Sequence, residues 1–206
     1  LSGDVRGIVR EDVIEAVTLA ESDLFRALQR LPGVTSRDDY TAELWTRGAP
    51  WSHTRVLFDG LPLFNPLHGA GVFSAVDAEA VETAFFHPGA RPARIAGGVA
   101  GVLELASRPG GPQRELAGRG ELSLVSARVS LDRGFDRGGW MVTGRRTHLD
   151  LVSWAVESVT GADDVHVPYA FHDVAGRLDL DLGSAAALEA SFLWEADRVS
   201  GDVEDV

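Results

Sequence analysis

The stretch from Ala75 to Arg108, AVDAEAVETAFFHPGARPARIAGGVAGVLELASR, decides the fold of this chain. Ser74, just before it, and Asp77 have the spacing of a capping box, which predicts a turn or two of helix. A hydrophobic strand over Val81–Phe86 is expected to follow. Together these patterns indicate a small α+β unit.

The second half of this stretch is rich in glycine, and Arg91 and Arg94 are its only charged residues before Glu104. Glycine-rich loops with arginines can cradle phosphate groups. Here the spacing GGVAG matches neither a P-loop nor a dinucleotide fingerprint, and no helix clearly follows. We therefore expect these glycines to permit close backbone packing and not to bind a nucleotide.

Upstream, a short helix is predicted, capped by Ser22 and ended by Pro32-Gly33. Its apolar residues recur at helical spacing: Leu24, Ala27, Leu28 and Leu31. Two strands are expected next, over Glu43–Arg47 and Thr54–Phe58. Asp59-Gly60 tolerates positive φ and favours a tight reversal after the second strand, in the segment RVLFDGLPLFNP.

The sequence changes character at PGGP, residues 109–112, which predicts a domain boundary near residue 110. Beyond it, Arg119–Asp132 and Trp140–Arg146 are predicted strands. The alternation slips near Leu124 and Val125, and either a bulge or a very tight hairpin would explain the slip. We expect four or five strands in this second part.

A late hairpin shows the clearest alternation. From Asp173 to Leu182, one face carries Asp173, Arg177, Asp179 and Asp181, and the other carries Val174, Gly176, Leu178, Leu180 and Leu182. After a turn at Gly183-Ser184, an apolar face continues through Leu188, Ala190, Phe192 and Trp194, with Leu193 as the exception. The pattern fits an outer-membrane barrel wall, and it also fits a soluble antiparallel sheet on a core. Aromatic residues at strand ends favour an interfacial girdle.

Composition and missing motifs exclude several classes of protein. A net charge of −12 with scattered basic residues disfavours nucleic acid as a partner. The absence of cysteine excludes disulfides, thiolate metal sites and a cysteine nucleophile. The six histidines lack the spacing of metal ligands, and no G-x-S-x-G motif indicates a hydrolase. No run of about 18 apolar residues could form a transmembrane helix.

The ordered segments resemble the plug domain of TonB-dependent outer-membrane receptors. The matching pieces are Leu31–Val34, Arg47-Gly48, Val56–Gly60, Asp77–Phe86, Ala93–Gly97 and Val102–Arg108. They cover most of residues 20–110 in the family's order, which is more specific than any single piece. The segments GELSLVSARVSLDRG and WMVTGRRTHLDL are similar to the first barrel strands of such receptors.

The resemblance implies an α+β plug domain at residues 1–110, followed at 111–206 by antiparallel strands of an incomplete transmembrane β-barrel. Plugged receptors have barrels of about 22 strands, and four or five strands cannot close. The chain is therefore expected to be the N-terminal part of a receptor in the outer membrane of a Gram-negative-type bacterium.

The resemblance also implies partners. These are TonB with its inner-membrane energising proteins, outer-membrane lipid, and an extracellular ligand that could be a siderophore, cobalamin, an oligosaccharide or a peptide. It implies no cofactor, no nucleic acid and no enzymatic activity. The alternative from the residues alone is a soluble secreted β-rich module that binds carbohydrate or peptide through Trp and Tyr.

Two sets of site residues follow from the resemblance. Four residues in two loops are expected at the plug apex, facing ligand, with structural packing of those loops as the alternative: Trp51, His53, Asn65 and His68. Four charged residues are candidates for contacts between plug and barrel: Arg47, Asp59, Arg91 and Arg94. For Arg47 and Asp59 the alternative is a solvent-exposed strand end.

Overall fold

The computed structural model describes residues 6–9, 17–18, 21–89, 95, 97–112, 114–160 and 169–199. Two five-stranded sheets dominate it, one on either side of the PGGP segment. Arg91 and Arg94, two of the expected contacts between plug and barrel, lie outside the described residues.

The first sheet has the strand order β1-β10-β11-β6-β7. Its strands are β1 (Arg6–Val9), β6 (Thr54–Phe58), β7 (Leu61–Pro62), β10 (Val81–His87) and β11 (Gly101–Ser107). β10 and β11 are antiparallel, whereas β11 and β6 are parallel, with Gly101 opposite Thr54 and Leu105 opposite Phe58. The strands predicted at Thr54–Phe58 and Val81–Phe86 are thus confirmed.

Three two-stranded pairs accompany this sheet: β2 (Val17–Thr18) with β3 (Glu21–Ser22), β4 (Val34–Thr35) with β5 (Trp45–Thr46), and β8 (Leu67–His68) with β9 (Phe73–Ser74). The strand predicted over Glu43–Arg47 is wrong in length, because only two of its residues pair. Arg47 already has a φ of +51°, which ends the strand.

The predicted first helix exists as α1 (Leu24–Leu28), but its cap is Asp23 and not Ser22. Asp23 Oδ1 accepts from the backbone N–H groups of Phe25 at 2.9 Å and Arg26 at 3.1 Å. The capping box predicted at Ser74 is also wrong. Asp77 caps a single 3₁₀ turn, Ala78–Ala80, through the Glu79 N–H at 3.2 Å.

The core of this first unit lies between α1, the loops and one face of the sheet. Its largest fully buried side chains include Phe25, Phe86, Leu24, Leu28 and Leu103. Burying a Leu or Phe side chain stabilises by roughly 1.5–3 kcal/mol, so this cluster is the main source of stability for the unit.

The second sheet is an antiparallel meander in sequence order. Its strands are β12 (Ala117–Leu122), β13 (Ser126–Phe135), β14 (Gly138–Thr147), β15 (Tyr169–Asp181) and β16 (Ala187–Val199). The slip in alternation near Leu124 is therefore a tight hairpin at 123–125, which divides the predicted strand Arg119–Asp132 in two.

Two further features of this part differ from the sequence prediction. A helix, α2 (Leu149–Thr160), lies between β14 and β15 and was not expected. Leu193, the apolar exception in the alternation, packs against the core of the first unit. Within the described residues, no helix is long and apolar enough to cross a membrane.

Candidate functional site

The candidate site is the seam where the first unit meets the inward face of β13–β16. We define the seam by its buried polar residues: His68, Ser74, Asp77, Ser107 and Arg108 from the first unit, and Arg128, Asp132, Thr143, Arg145 and Asp173 from the second sheet. All ten are at least nine-tenths buried. Buried charges are stable only when paired and hydrogen-bonded, so their contacts define the site.

The centre of the seam is an ion pair between β14 and β15. Arg145 donates from Nε to Asp173 Oδ2 at 2.7 Å, and its Nη2 donates to the same oxygen and, at 2.6 Å, to the Ser74 carbonyl. Asp173 Oδ1 lies 2.6 Å from His68 Nε2. Two strands of the second sheet are thereby joined to β8 and β9 of the first unit.

Aromatic packing closes this centre. The His68 ring stacks on Phe171 with centroids 4.2 Å apart and an angle of 13° between planes. The Arg145 guanidinium carbon lies 4.8 Å from the Phe171 centroid, within the range of a cation–π contact. Phe171 is fully buried, so it keeps water from the ion pair.

A second contact involves Asp77, the cap of the 3₁₀ turn. Its Oδ2 accepts from Thr143 Oγ1 at 3.0 Å, and its Oδ1 lies 3.4 Å from Arg128 Nη1. One carboxylate thus caps a turn of the first unit and pairs with two neighbouring strands of the second sheet. Loss of this side chain would disturb both units together.

A third contact lies where the chain leaves β11. Arg108 donates to Asp132 Oδ1 at 3.1 Å and to Ser130 Oγ at 2.9 Å. One residue earlier, the Ser107 carbonyl accepts from Arg177 Nη1 at 3.2 Å. The last strand of the first unit is therefore fastened to β13 and β15 just before the PGGP segment.

Opposing effects act on the pKa of His68. Burial is the largest single effect and lowers the pKa. The hydrogen bond and charge of Asp173 and the charge of Asp197 outweigh it, so the pKa is raised above its usual value. The protonated form is thus favoured in the folded seam.

Comparison with known proteins identifies the first unit. Residues 4–103 match the TonB-dependent Receptor Plug Domain family. This chain carries a TonB-dependent receptor plug. Receptors of this kind are proteins of the Gram-negative outer membrane, and the chain belongs to that membrane. The second sheet is accordingly the wall of an incomplete barrel, and β12–β16 are called the wall strands below.

Solved receptor structures share the fold over almost the whole chain. The siderophore receptor PirA from Pseudomonas aeruginosa matches with a TM-score of 0.63 and 19% identity, over 96% of this chain and 36% of that one. The ferric enterobactin receptor PfeA from the same organism matches with a TM-score of 0.61 and 20% identity, over 96% of this chain and 34% of that one.

The copper transporter OprC matches with a TM-score of 0.61 and 14% identity, over 98% of this chain and 32% of that one. The chain thus spans about a third of the length of these structures. No curated protein sequence matches it.

The lengths of the connections orient the wall. One end of the wall carries short turns at 136–137 and 182–186, and the other carries the hairpin at 123–125 and the long connection 148–168. In outer-membrane barrels the short turns are periplasmic and the long loops extracellular. A Cβ added at Gly110 would lie 2.3 Å from the Trp140 nitrogen, so the plug joins the wall beside the periplasmic turns. The Thr54 end of β6 therefore points outward.

At that outward end the plug forms an open cleft of about 360 Å³. Trp51, His53 and Phe64 are among its lining residues, and Phe64 is fully exposed. Asn65 follows Phe64 and is also exposed. The structure brings these four residues to one end of the plug. A role for Trp51, His53 and Asn65 in ligand binding stays a prediction.

His68 is placed differently from the other three predicted apex residues. It is only 3% exposed and faces the wall, which corresponds to the alternative of structural packing. Asp59, at the periplasmic end, accepts from the Ser107 N–H at 2.8 Å, next to the Arg177 contact. The Arg47 side chain is exposed at a turn. Among the described residues, no cluster of three or more His, Asp or Glu could hold a metal ion.

Sequence reasoning missed most of the seam. It had placed Asp173 and Arg177 on the charged face of β15, and that alternation was a usable signal. The inward face of β13 carries Arg128 and Asp132, and the inward face of β14 carries Arg145. The hairpin at 123–125, which the sequence pattern did not locate, had obscured the alternation at the start of β13. Their partners in the plug could not be deduced from spacing.

Proposed function

We propose that this chain forms the plug and the first wall strands of a TonB-dependent receptor. In this proposal the plug gates the energised uptake of an extracellular small molecule into the periplasm. The observation that carries it is the plug docked on the inward face of five antiparallel strands through a buried, ionic seam. The division near residue 110 is part of the proposal.

The chemistry of the seam suits a gate. Its apolar part is small and consists of Phe171, which packs on His68, and a cluster of Ala80 with Met141, Ala175 and Leu193. Ion pairs at an interface give orientation and specificity more than net affinity, because separation returns the charges to water. A plug held in this way is well oriented and still releasable.

The proposed partners follow from this role. TonB, driven by its inner-membrane energising proteins, supplies the force that moves the plug. The even-numbered residues of β15 from Val174 to Leu180 face outer-membrane lipid. Neither a cofactor nor covalent chemistry takes part in the proposed mechanism, and nucleic acid is not a partner.

We propose a ferric siderophore as the ligand class. The structures that share this fold are named as siderophore, ferric enterobactin and copper proteins. In this chain the cleft offers Trp51 and the fully exposed Phe64 as flat apolar surfaces and His53 as a polar group. An aromatic chelate would be held there by stacking on these rings.

The test is ligand binding and uptake by the full-length receptor. Phe64→Ala should weaken binding of a catecholate ferric siderophore by about tenfold, the loss typical of an interface aromatic side chain. The matched control is Tyr40→Ala, which removes another exposed aromatic ring that does not line the cleft and should leave binding unchanged.

Uptake should stop in cells that lack TonB, while binding persists. Uptake that continues without TonB would overturn the proposed gate. Equal affinities for Phe64→Ala and Tyr40→Ala would overturn the assignment of the cleft. Binding of an oligosaccharide or cobalamin in place of the siderophore would overturn only the ligand class.

A further inference from the structure

His68 belongs to the plug, but both of its ring nitrogens face carboxylates of the wall. Nε2 lies 2.6 Å from Asp173 Oδ1 in β15, and Nδ1 lies 2.5 Å from Asp197 Oδ1 in β16. The gate described above uses its bond to Asp173 but neither its contact with Asp197 nor its protonation state. Through these two contacts one plug side chain reaches two adjacent wall strands.

These distances specify the protonation state of the ring. An ionised carboxylate only accepts hydrogen bonds, so each ring nitrogen must carry a hydrogen to bond its partner. A ring with hydrogens on both nitrogens is the imidazolium cation. In the neutral ring, one nitrogen lone pair would face a carboxylate oxygen, and that contact becomes repulsive.

The surrounding charges make the protonation state matter. Arg145 from β14 pairs with the second oxygen of Asp173. Asp197 accepts a hydrogen bond from the Tyr169 hydroxyl at 3.0 Å, and the charge of His68 also acts on Glu195 of β16. The two carboxylates that contact His68 thus face one arginine, and protonated His68 supplies the second positive charge.

We propose that His68 is a protonation-dependent latch that holds the plug to wall strands β15 and β16. The inference rests on the proposed gate and names a control on its release. Protonated His68 fastens the β8 loop to both strands. Loss of the proton breaks at least one of the two bonds and leaves the wall carboxylates with a single cation.

The direction of the pH dependence follows from linkage. The pKa of His68 is raised in the docked state, relative to about 6.5 in an unpaired histidine. The stabilisation is fully present below the unpaired pKa and is lost as the pH rises through the docked pKa. Between these two values, plug separation should become about tenfold more favourable per pH unit, because one proton is released.

The experiment measures plug separation in the full-length receptor in outer-membrane vesicles, without ligand or TonB. This chain has no cysteine, so Ala175→Cys places a single thiol in it on the inward face of β15, buried at the seam. Its rate of modification by a water-soluble maleimide reports separation. Dividing by the rate in the denatured receptor at each pH removes the intrinsic pH dependence of the thiol.

From about pH 6 to about pH 9, the normalised rate should rise in the otherwise unchanged receptor. With His68→Gln it should be high and independent of pH. The matched control is His87→Gln, a plug histidine whose Nε2 lies 2.7 Å from Glu104 within the plug itself, and this variant should keep the full pH dependence. A flat profile in the unchanged receptor, or an unchanged slope with His68→Gln, would overturn the latch.

A second variant keeps the test decisive if His68→Gln does not assemble. Asp197 lies at the rim of the seam with a partly exposed side chain, and Asp197→Asn removes one of the charges that raise the His68 pKa. The rise in rate should then move to lower pH. An unmoved profile would overturn the latch. If uptake depends on TonB but the modification rate does not change with pH, the proposed gate is supported and the latch is refuted. If the rate changes with pH through His68 but uptake does not depend on TonB, the latch is supported and the gate is refuted.

Discussion

Adjacent arginines on β14 allow a direct test of the seam. The Arg145 side chain is 0% exposed and points into the seam, whereas the Arg146 side chain is 41% exposed on the opposite face. Replacing either by Gln removes one positive charge at nearly the same height in the wall. The two variants therefore differ in whether the lost side chain is buried against the plug, where Arg145 also bonds the Ser74 carbonyl, or lies on the outer face of the wall.

The expected magnitudes follow from the contacts. Arg145→Gln removes the bonds to Asp173 and the Ser74 carbonyl and the contact with Phe171. Breaking a buried ion pair costs roughly 3–5 kcal/mol, and His68 still partly balances Asp173, so we expect about 3 kcal/mol. Arg146 pairs with Asp150 at 2.8 Å on the surface, and such an exposed pair is worth roughly 0.2–1 kcal/mol.

The assay is the modification rate of a cysteine at Ala175, measured at one pH in the full-length receptor. A loss of about 3 kcal/mol corresponds to an increase in plug separation of more than about a hundredfold. Arg146→Gln should raise the rate by no more than about fivefold. Equal rates in the two variants would refute the reasoning, because the inward ion pair would then not hold the plug.

Two further comparisons test the plug loop and the wall face. Gly98→Ala should destabilise the plug by more than about 2 kcal/mol in urea unfolding, because φ is +69° and the new Cβ would lie 2.2 Å from the Gly101 carbonyl oxygen. Gly48→Ala, with φ at +82° but open space around it, should cost only about 1 kcal/mol. Val174→Arg, midway along β15 on the lipid face, should cost roughly 2–4 kcal/mol of insertion free energy in lipid vesicles. Leu180→Arg, near the periplasmic end, should cost at most about 1 kcal/mol. Equal insertion costs for Val174→Arg and Leu180→Arg would contradict the depths assigned to these two residues.

The elements of the plug were predictable where local signals agreed. Asp59-Gly60 ends β6 because both residues adopt positive φ, at +48° and +83°, and short polar and glycine side chains tolerate that geometry. The strand Val81–His87 follows a capped turn and is strongly apolar. Such signals act over a few residues, so the sequence alone reports them.

The caps and α2 show where local patterns fail. Ser22 and Asp23 can both cap a helix, and only the backbone path decides that Asp23 does so. Asp23 Oδ2 also accepts from the Ser74 N–H at 2.7 Å, a bond between residues 51 positions apart that no local pattern shows. In α2, apolar residues such as Leu151 and Trp154 are exposed, so the pattern did not indicate a buried helix face.

The seam itself depends on contacts between distant residues. His68 and Asp173 are 105 positions apart, and Asp77 and Thr143 are 66 apart. Alternation along β15 correctly predicted that Asp173 faces inward. It could not predict which plug residue would meet it, because that depends on how the plug docks on the wall.

The distribution of contacts bears on how the plug moves. Nearly all residues of the main apolar core belong to the plug itself, with Leu193 as the wall residue that packs against it. Unfolding the plug would expose this core, at roughly 25 cal/mol per Å² of apolar surface. Separation along the seam exposes mainly charged groups that water solvates well, together with Phe171 and the small cluster around Met141. A pulling force should therefore part the seam before it unfolds the core, and the buried bonds of Arg145, Arg108 and His68 set the resistance that it meets first.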